Sequence, residues 1–234
     1  MMKNQLLGIV VVGVTGVAAA CSGSAEHTSH LSDNHSQTAS ATQATLATPV
    51  AAAPVRVGQP APSFTAVDSK GKRHQLSNFK GKTVILEWTN HECPYVRKHY
   101  ESGNMQKLQK QATGKGVVWL SVVSSAPGQQ GHVNGQKANE LTKNRGASPT
   151  AILLDADGKI GRLYSARTTP HMFVVAPNST LAYMGAIDSI SSFNKADVAK
   201  ATNYVSVALD SVLKGEKVDT PATQPYGCTV KYGS

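Results

Sequence analysis

Cysteine is scarce in this chain: Cys21, Cys93 and Cys228 are the three in 234 residues. That excludes a small scaffold built on disulfides, and no second thiol stands near Cys93 to make a local pair. Acidic residues are also few, 14 against 23 Lys and Arg, for a net charge of +9. The basic residues are dispersed, in runs no longer than pairs such as Lys72-Arg73 or Arg97-Lys98. This is a solvated basic surface rather than a nucleic-acid footprint. No apolar run reaches the about 20 residues of a membrane-spanning helix. No internal repeat is present, and no motif indicates haem, flavin, nucleotide or catalytic zinc, so no cofactor is expected.

What is present begins with a leader. "MMKNQ" carries one Lys and precedes "LLGIVVVGVTGVAAA", a short apolar run followed directly by Cys21. Residues 1–20 are therefore expected to be a signal peptide, and the mature protein to work outside the cytoplasm. "AAAC" before "SGS" resembles a bacterial lipoprotein signal, which makes Cys21 a lipid anchor; Ala18 to Ala20 also suit ordinary cleavage. A cell-envelope or periplasmic location at a membrane surface follows from the first of these. From Cys21 to Val55, Ala, Ser and Thr fill 19 of 35 positions and no residue is aromatic. The expectation for 21–55 is a disordered tether, with too little apolar surface to fold.

Residues 56–215 carry the folding signal. "PSFTAVD" and "RHQL" alternate around "SKGK" as a β-hairpin. "TVILEWT", "VVWLSVV" and "TAILLD" read as buried strands. A helix starts at Pro94 and is interrupted near Gly103, and "GQKANELTKNRG" gives another. "HMFVV" and "TLAYMG" form a hairpin through "APNS". A closing helix is expected from about Lys195 to Leu213, capped by Asn194, with Val198, Ala201, Val205, Ala208, Leu209 and Val212 as its apolar stripe. The pattern describes one α/β domain, followed by a tail, residues 216–234, carrying Cys228.

The chemistry concentrates in "EWTNHECPYVRKH". Cys93 lies at a strand-to-helix junction, where free amide groups and the helix dipole favour a thiolate. His91, Arg97 and Lys98 stand nearby in sequence, and Pro94 suits the first helical position. A reactive thiol is therefore expected, against the alternative of a buried structural cysteine. Glu87 falls within an apolar strand, where a lone charge is costly; it is either a proton-shuttling carboxylate beneath Cys93 or a paired surface group. The loop "SSAPGQQGHVNG" is either a mobile rim or a plain surface connection.

"VGQPAPSFTAVDSKGKRHQLSNFKGKTVILEWTNHECPYV", with "TTPHMFVVAPNSTLAYMGAID" later, resembles the thioredoxin-like superfamily. The nearer likeness is to its redoxin branch, the alkyl hydroperoxide reductase and thiol-specific antioxidant group, and within it to uncharacterised peroxiredoxin-like proteins. The resemblance implies a thioredoxin-like fold, with a central mixed sheet flanked by helices and an N-terminal β-hairpin extension. Cys93 matches the first cysteine of the C-x-x-C motif and Val96 replaces the second. Pro170 after Thr169 matches the cis proline, and Glu87 the buried carboxylate. The peroxidase motif P-x-x-x-T-x-x-C fails, with Leu86 and Asn90 at its proline and threonine. Pro170 also replaces the arginine of those enzymes.

The resemblance implies a thiol-disulfide oxidoreductase or thiol-dependent antioxidant, with Cys93 as nucleophile. Thr169, His171 and Tyr95 are its implied substrate contacts, and its partners are a thiol or disulfide substrate and an unknown reductant. The tail "QPYGCTVKYGS" resembles this group too, making Cys228 a resolving thiol or a structural staple, within one chain or between two. The alternative class is a copper metallochaperone using Cys93 with His91, His99 or His171. A redoxin fold kept only as a binding module is the third.

Overall fold

The computed structural model describes residues 55–233. The leader, nearly all of the tether, and Cys21 lie outside the described residues. Val55, expected at the end of the tether, is instead buried in the core.

A hairpin, β1 (Thr65–Asp68) and β2 (Arg73–Gln75), opens the domain. The central strands β3 (Val84–Trp88) and β4 (Val118–Val123) are buried at every position. That matches their unbroken apolar sequence, because strands covered on both faces need no alternation. Between them run α1 (Pro94–Glu101) and α2 (Asn104–Gly114). Gly103 separates the two helices at φ 76°, a left-handed backbone that costs glycine little. Helix α3 (Gly135–Asn144) leads to β5 (Ala151–Leu154), and β3, β4 and β5 are parallel.

The chain continues through α4 (Lys159–Leu163), β6 (Thr168–Thr169), β7 (His171–Val175), β8 (Leu181–Gly185), α5 (Tyr204–Lys214) and β9 (Cys228–Thr229). The main sheet has the order β2-β1-β5-β4-β3-β7-β8, while β6 and β9 pair separately. The hairpin extension thus joins the sheet, β1 antiparallel to β5.

Strand alternation divides the interior. Leu86, Trp88, Leu120, Phe173 and Val175 face one cluster. Ile85, Trp119, Met172 and Val174 face the other, together with Cys93 and Val96. By the same period of two, Glu87 shares the second face.

One expectation is corrected, and one helix carried no advance signal. The closing helix does not start at Lys195: a 3-10 turn spans Lys195–Asp197, and α5 begins after Asn203, whose side chain caps Ser206 N. Val198 and Ala201 therefore lie outside its buried stripe: Asn194 caps the 3-10 turn, accepting Ala196 N at 3.0 Å, and Asn203 caps the helix. Helix α4 had no signal in its short, glycine-containing sequence. The Asp155 carboxylate holds its start, accepting Ile160 N and Gly161 N at 2.9 Å each.

Candidate active site: Cys93, Cys228 and two buried carboxylates

Cys93 is the N-cap of α1, in extended conformation, with Pro94 next. The turn from β3 is set by Asn90: its carbonyl accepts Cys93 N at 3.1 Å and its Oδ1 accepts Glu92 N at 2.9 Å. Asn90 Nδ2 donates to Gln130 O at 3.3 Å, and Glu92 Oε2 accepts Gly131 N at 2.6 Å. The Gly-rich loop is thereby tied to the cysteine turn. Cys93 is fully buried, and its Sγ donates to Thr169 O at 3.1 Å. The Thr169–Pro170 peptide bond is cis.

Cys228 lies opposite the same residue, Thr169. It pairs in register with Thr169 across the β6–β9 ladder, so the tail is laid against the segment that faces Cys93. Gly227 makes this approach possible. At φ 131° it sits where an added Cβ would meet Thr169 O. Both cysteines are free thiols, Cys93 buried and Cys228 partly exposed. The Cys228 thiol is pushed up to about 12, first by burial and then by its hydrogen bond with Cys93 and repulsion from a Cys93 anion.

Glu87, in β3 on the sheet face that Cys93 also packs against, is fully buried. Its Oε1 accepts Tyr100 Oη at 2.8 Å; its Oε2 accepts Trp119 Nε1 and Ser121 Oγ at 2.8 Å and Gln109 Nε2 at 3.2 Å. All four donors are neutral. Burial therefore outweighs them and raises the carboxyl above its usual range.

The cations flanking Cys93 in sequence do not serve its sulfur. Arg97 pairs with Glu101 on the surface at 2.9 Å. Lys98 is turned inward, where a buried ammonium needs a carboxylate, and its Nζ lies 3.2 Å from Asp188 Oδ2 and 2.9 Å from Ile190 O. His91 lines a small cleft with Thr89, Tyr100 and Arg145, and neither cysteine lines it. His171 lies on the opposite face of the sheet from Cys93, its ring 4.4 Å from that of Phe173. Burial, reinforced by Arg167, holds this imidazole down to about 3. Among the described residues no group of three His, Cys, Asp or Glu could hold a metal ion. Tyr95 is half-buried, its ring 5.7 Å from Tyr226 and 6.1 Å from the exposed Phe193.

Sequence reasoning missed a second polar cluster beside the cysteines. Asp188 accepts a short hydrogen bond from Tyr226 Oη as well as the Lys98 ion pair. His99 Nε2 lies 3.3 Å from Tyr226 Oη, and its Nδ1 lies 2.8 Å from Asn104 Nδ2. Burial holds His99 down to about 4, against the pull of Asp188 and with Lys98 reinforcing. A lone Asp after the apolar run "LAYMGAI" was the available signal.

Residues 57–184 match the AhpC/TSA family. The chain belongs to the AhpC/TSA family. This redoxin chain is 29% identical over 126 residues to the thiol-disulfide oxidoreductase ResA of Geobacillus kaustophilus, covering 49% of this chain and 72% of that protein. ResA of Bacillus thuringiensis is 29% identical over 119 residues, 45% and 68% of the two chains. Among solved structures, a hypothetical protein of Sinorhizobium meliloti superposes with a TM-score of 0.62 at 23% identity, covering 77% of this chain and 96% of that one. An uncharacterised conserved protein of Geobacillus kaustophilus gives 0.62 at 20% identity, covering 76% and 93%. These likenesses establish the thioredoxin-like redoxin fold. No helix among the described residues is long and apolar enough to cross a membrane.

Proposed function

We propose that this redoxin is an extracytoplasmic thiol-disulfide oxidoreductase, with Cys93 as nucleophile and Cys228 as resolving thiol. The observation that carries the reading is the β6–β9 pairing, which brings Cys228 to Thr169, the residue whose carbonyl takes the Cys93 thiol. In the reducing direction, the Cys93 thiolate attacks one sulfur of a substrate disulfide and expels the other as thiolate. Cys228 then loses its proton and attacks the Cys93 sulfur, forming the Cys93–Cys228 bond and releasing the second substrate thiol. The substrate gains two electrons, which an external thiol reductant restores to the pair.

Glu87 serves as the buried acid-base group on the Cys93 face of the sheet, its raised carboxyl able to take up and return the proton that thiol exchange moves. Thr169 offers its backbone and Tyr95 a half-exposed ring to the substrate. A disulfide is favoured over a peroxide because Asn90 spends its side chain on Glu92 and Gln130, and proline occupies position 170. The ResA relatives bear the same oxidoreductase name. Export and anchoring through Cys21 rest on the leader and lipoprotein-like signal.

The test is reduction of a protein disulfide by full chain beginning at Ser22, with intact mass under oxidising and reducing conditions. Cys93→Ser is expected to abolish turnover, and Cys228→Ser to stall as a mixed disulfide. Undiminished turnover in Cys93→Ser would overturn the reading.

A further inference from the structure

The tail from Pro221 to Gly233 is fastened at each end by ordinary means. Before the cysteine, Thr223 N donates to Met184 O at 3.1 Å, and Thr223 Oγ1 lies 2.6 Å from Tyr183 Oη. After it, Val230 N donates to Arg167 O at 3.0 Å and Tyr232 Oη to Ala166 O at 2.7 Å. Between Thr223 and Cys228, the side-chain hydrogen bonds from the tail to the domain are those of Tyr226 alone, among the described residues. They end on a cluster that the rest of the site does not use.

That cluster is unusual in being an ion pair that is almost fully buried. The side chains of Lys98 and His99 are fully buried and that of Asp188 is 2% exposed. Removing such an ion pair from water is costly, and an apolar replacement of the same volume often does as well for stability alone. Lys98 and His99 belong to α1, the helix that starts at Cys93. Asp188 follows β8, and Tyr226 is two residues before Cys228. Lys98 Nζ also stands 5.6 Å from the centre of the Tyr226 ring. The cluster therefore joins the helix of one cysteine to the tail of the other through one hydroxyl.

We propose that Tyr226 is a latch: its hydroxyl, bonded to the buried Lys98–Asp188 pair, holds Cys228 at Cys93 and keeps the tail closed over that thiol. Tyr226 is a positioning residue, acting through Cys228 rather than on substrate. A hydroxyl bonded to a buried charge is among the stronger neutral donors, and a tail held this way has a high effective concentration at its target. The latch deepens the two-cysteine reading and rests on it for its role in exchange.

The test uses the full chain beginning at Ser22 and Tyr226→Phe, which keeps the ring against Tyr95 and removes the hydroxyl. Two quantities are read. In the wild-type cysteine background, the equilibrium with glutathione disulfide is measured. Here the two protein thiols give up two electrons and two protons to form Cys93–Cys228, and two glutathione thiols appear. In a Cys228→Ser background, where no protein disulfide forms, the alkylation rate of Cys93 is measured. Tyr226→Phe is expected to lower the disulfide equilibrium constant about tenfold and to raise Cys93 alkylation by a similar factor, the size expected for one charge-assisted hydrogen bond. Val175→Ala, a core truncation at the far end of β7, is expected to lower the unfolding midpoint while leaving both quantities unchanged. Unchanged equilibrium and alkylation in Tyr226→Phe would overturn the latch, as would an equal response in Val175→Ala. Absence of any reducible Cys93–Cys228 bond in the wild type would overturn the two-cysteine reading instead, and the alkylation arm would still decide whether the tail is latched.

Discussion

Two carboxylates lie buried on either side of α1, and they are satisfied in opposite ways. Glu87 is surrounded by four neutral donors from Tyr100, Gln109, Trp119 and Ser121. Asp188 has an ammonium, Lys98, and a tyrosine hydroxyl. Neutral donors offset only part of the cost of burying a charge, so Glu87 is left inclined to hold a proton. A paired ammonium instead ties Asp188 into a closed network. The first environment suits a group that exchanges protons; the second suits one that holds another part of the chain in place. Burial alone does not distinguish a carboxyl inclined to hold its proton from one held in an ion pair. The charge of its donors does.

Breaking the fixed pair should produce the largest effect on stability. Asp188→Ala leaves the Lys98 ammonium buried without its partner, and unfolding in urea is expected to show a loss of about 3–5 kcal/mol. A loss no larger than that of an ordinary surface substitution would show that Lys98 finds another partner, and the contrast with Glu87 would fail.

A smaller, pH-dependent effect is expected at Glu87. Its folded-state pKa lies above the ordinary 4.5. Between these two values the folded chain holds a proton that the unfolded chain has released, so stability must fall as pH rises through that window. Urea unfolding from pH 5 to pH 8 should show this decline in the wild type and a flatter profile in Glu87→Gln. Equal slopes in the two proteins would mean that the four donors, rather than burial, dominate.

The smallest effect belongs to Arg97. Its guanidinium is spent on Glu101 at the surface, and exposed pairs contribute little. Arg97→Ala is expected to leave both the unfolding midpoint and the Cys93 alkylation rate unchanged. A slower alkylation would return Arg97 to the role that its place in the sequence suggested.

Much of the fold was legible in advance because its signals are local. The unbroken apolar runs of β3 and β4, the hairpin around "SKGK" and Pro94 after Cys93 each depend on residues close in sequence. Glu87 was noticed for the same reason, as a carboxylate in an apolar strand, although its four donors come from β4, α1 and α2. His171 was misleading. It adjoins Pro170 in sequence, but strand alternation sends its ring to Phe173. The flanking cations misled similarly, since nothing local shows that Lys98 turns inward to a residue ninety positions away.

By itself, then, the sequence determined the α/β domain, the cysteine at a helix start and the presence of a carboxylate within an apolar strand. Periodicity, caps and the cost of burying charge all act over a few residues. Only the tertiary structure decided that Cys228 lies at Thr169, that Tyr226 closes on Lys98 and Asp188, and which face each side chain takes. Those contacts join segments far apart in the chain, and their register is set by packing and by buried groups finding partners.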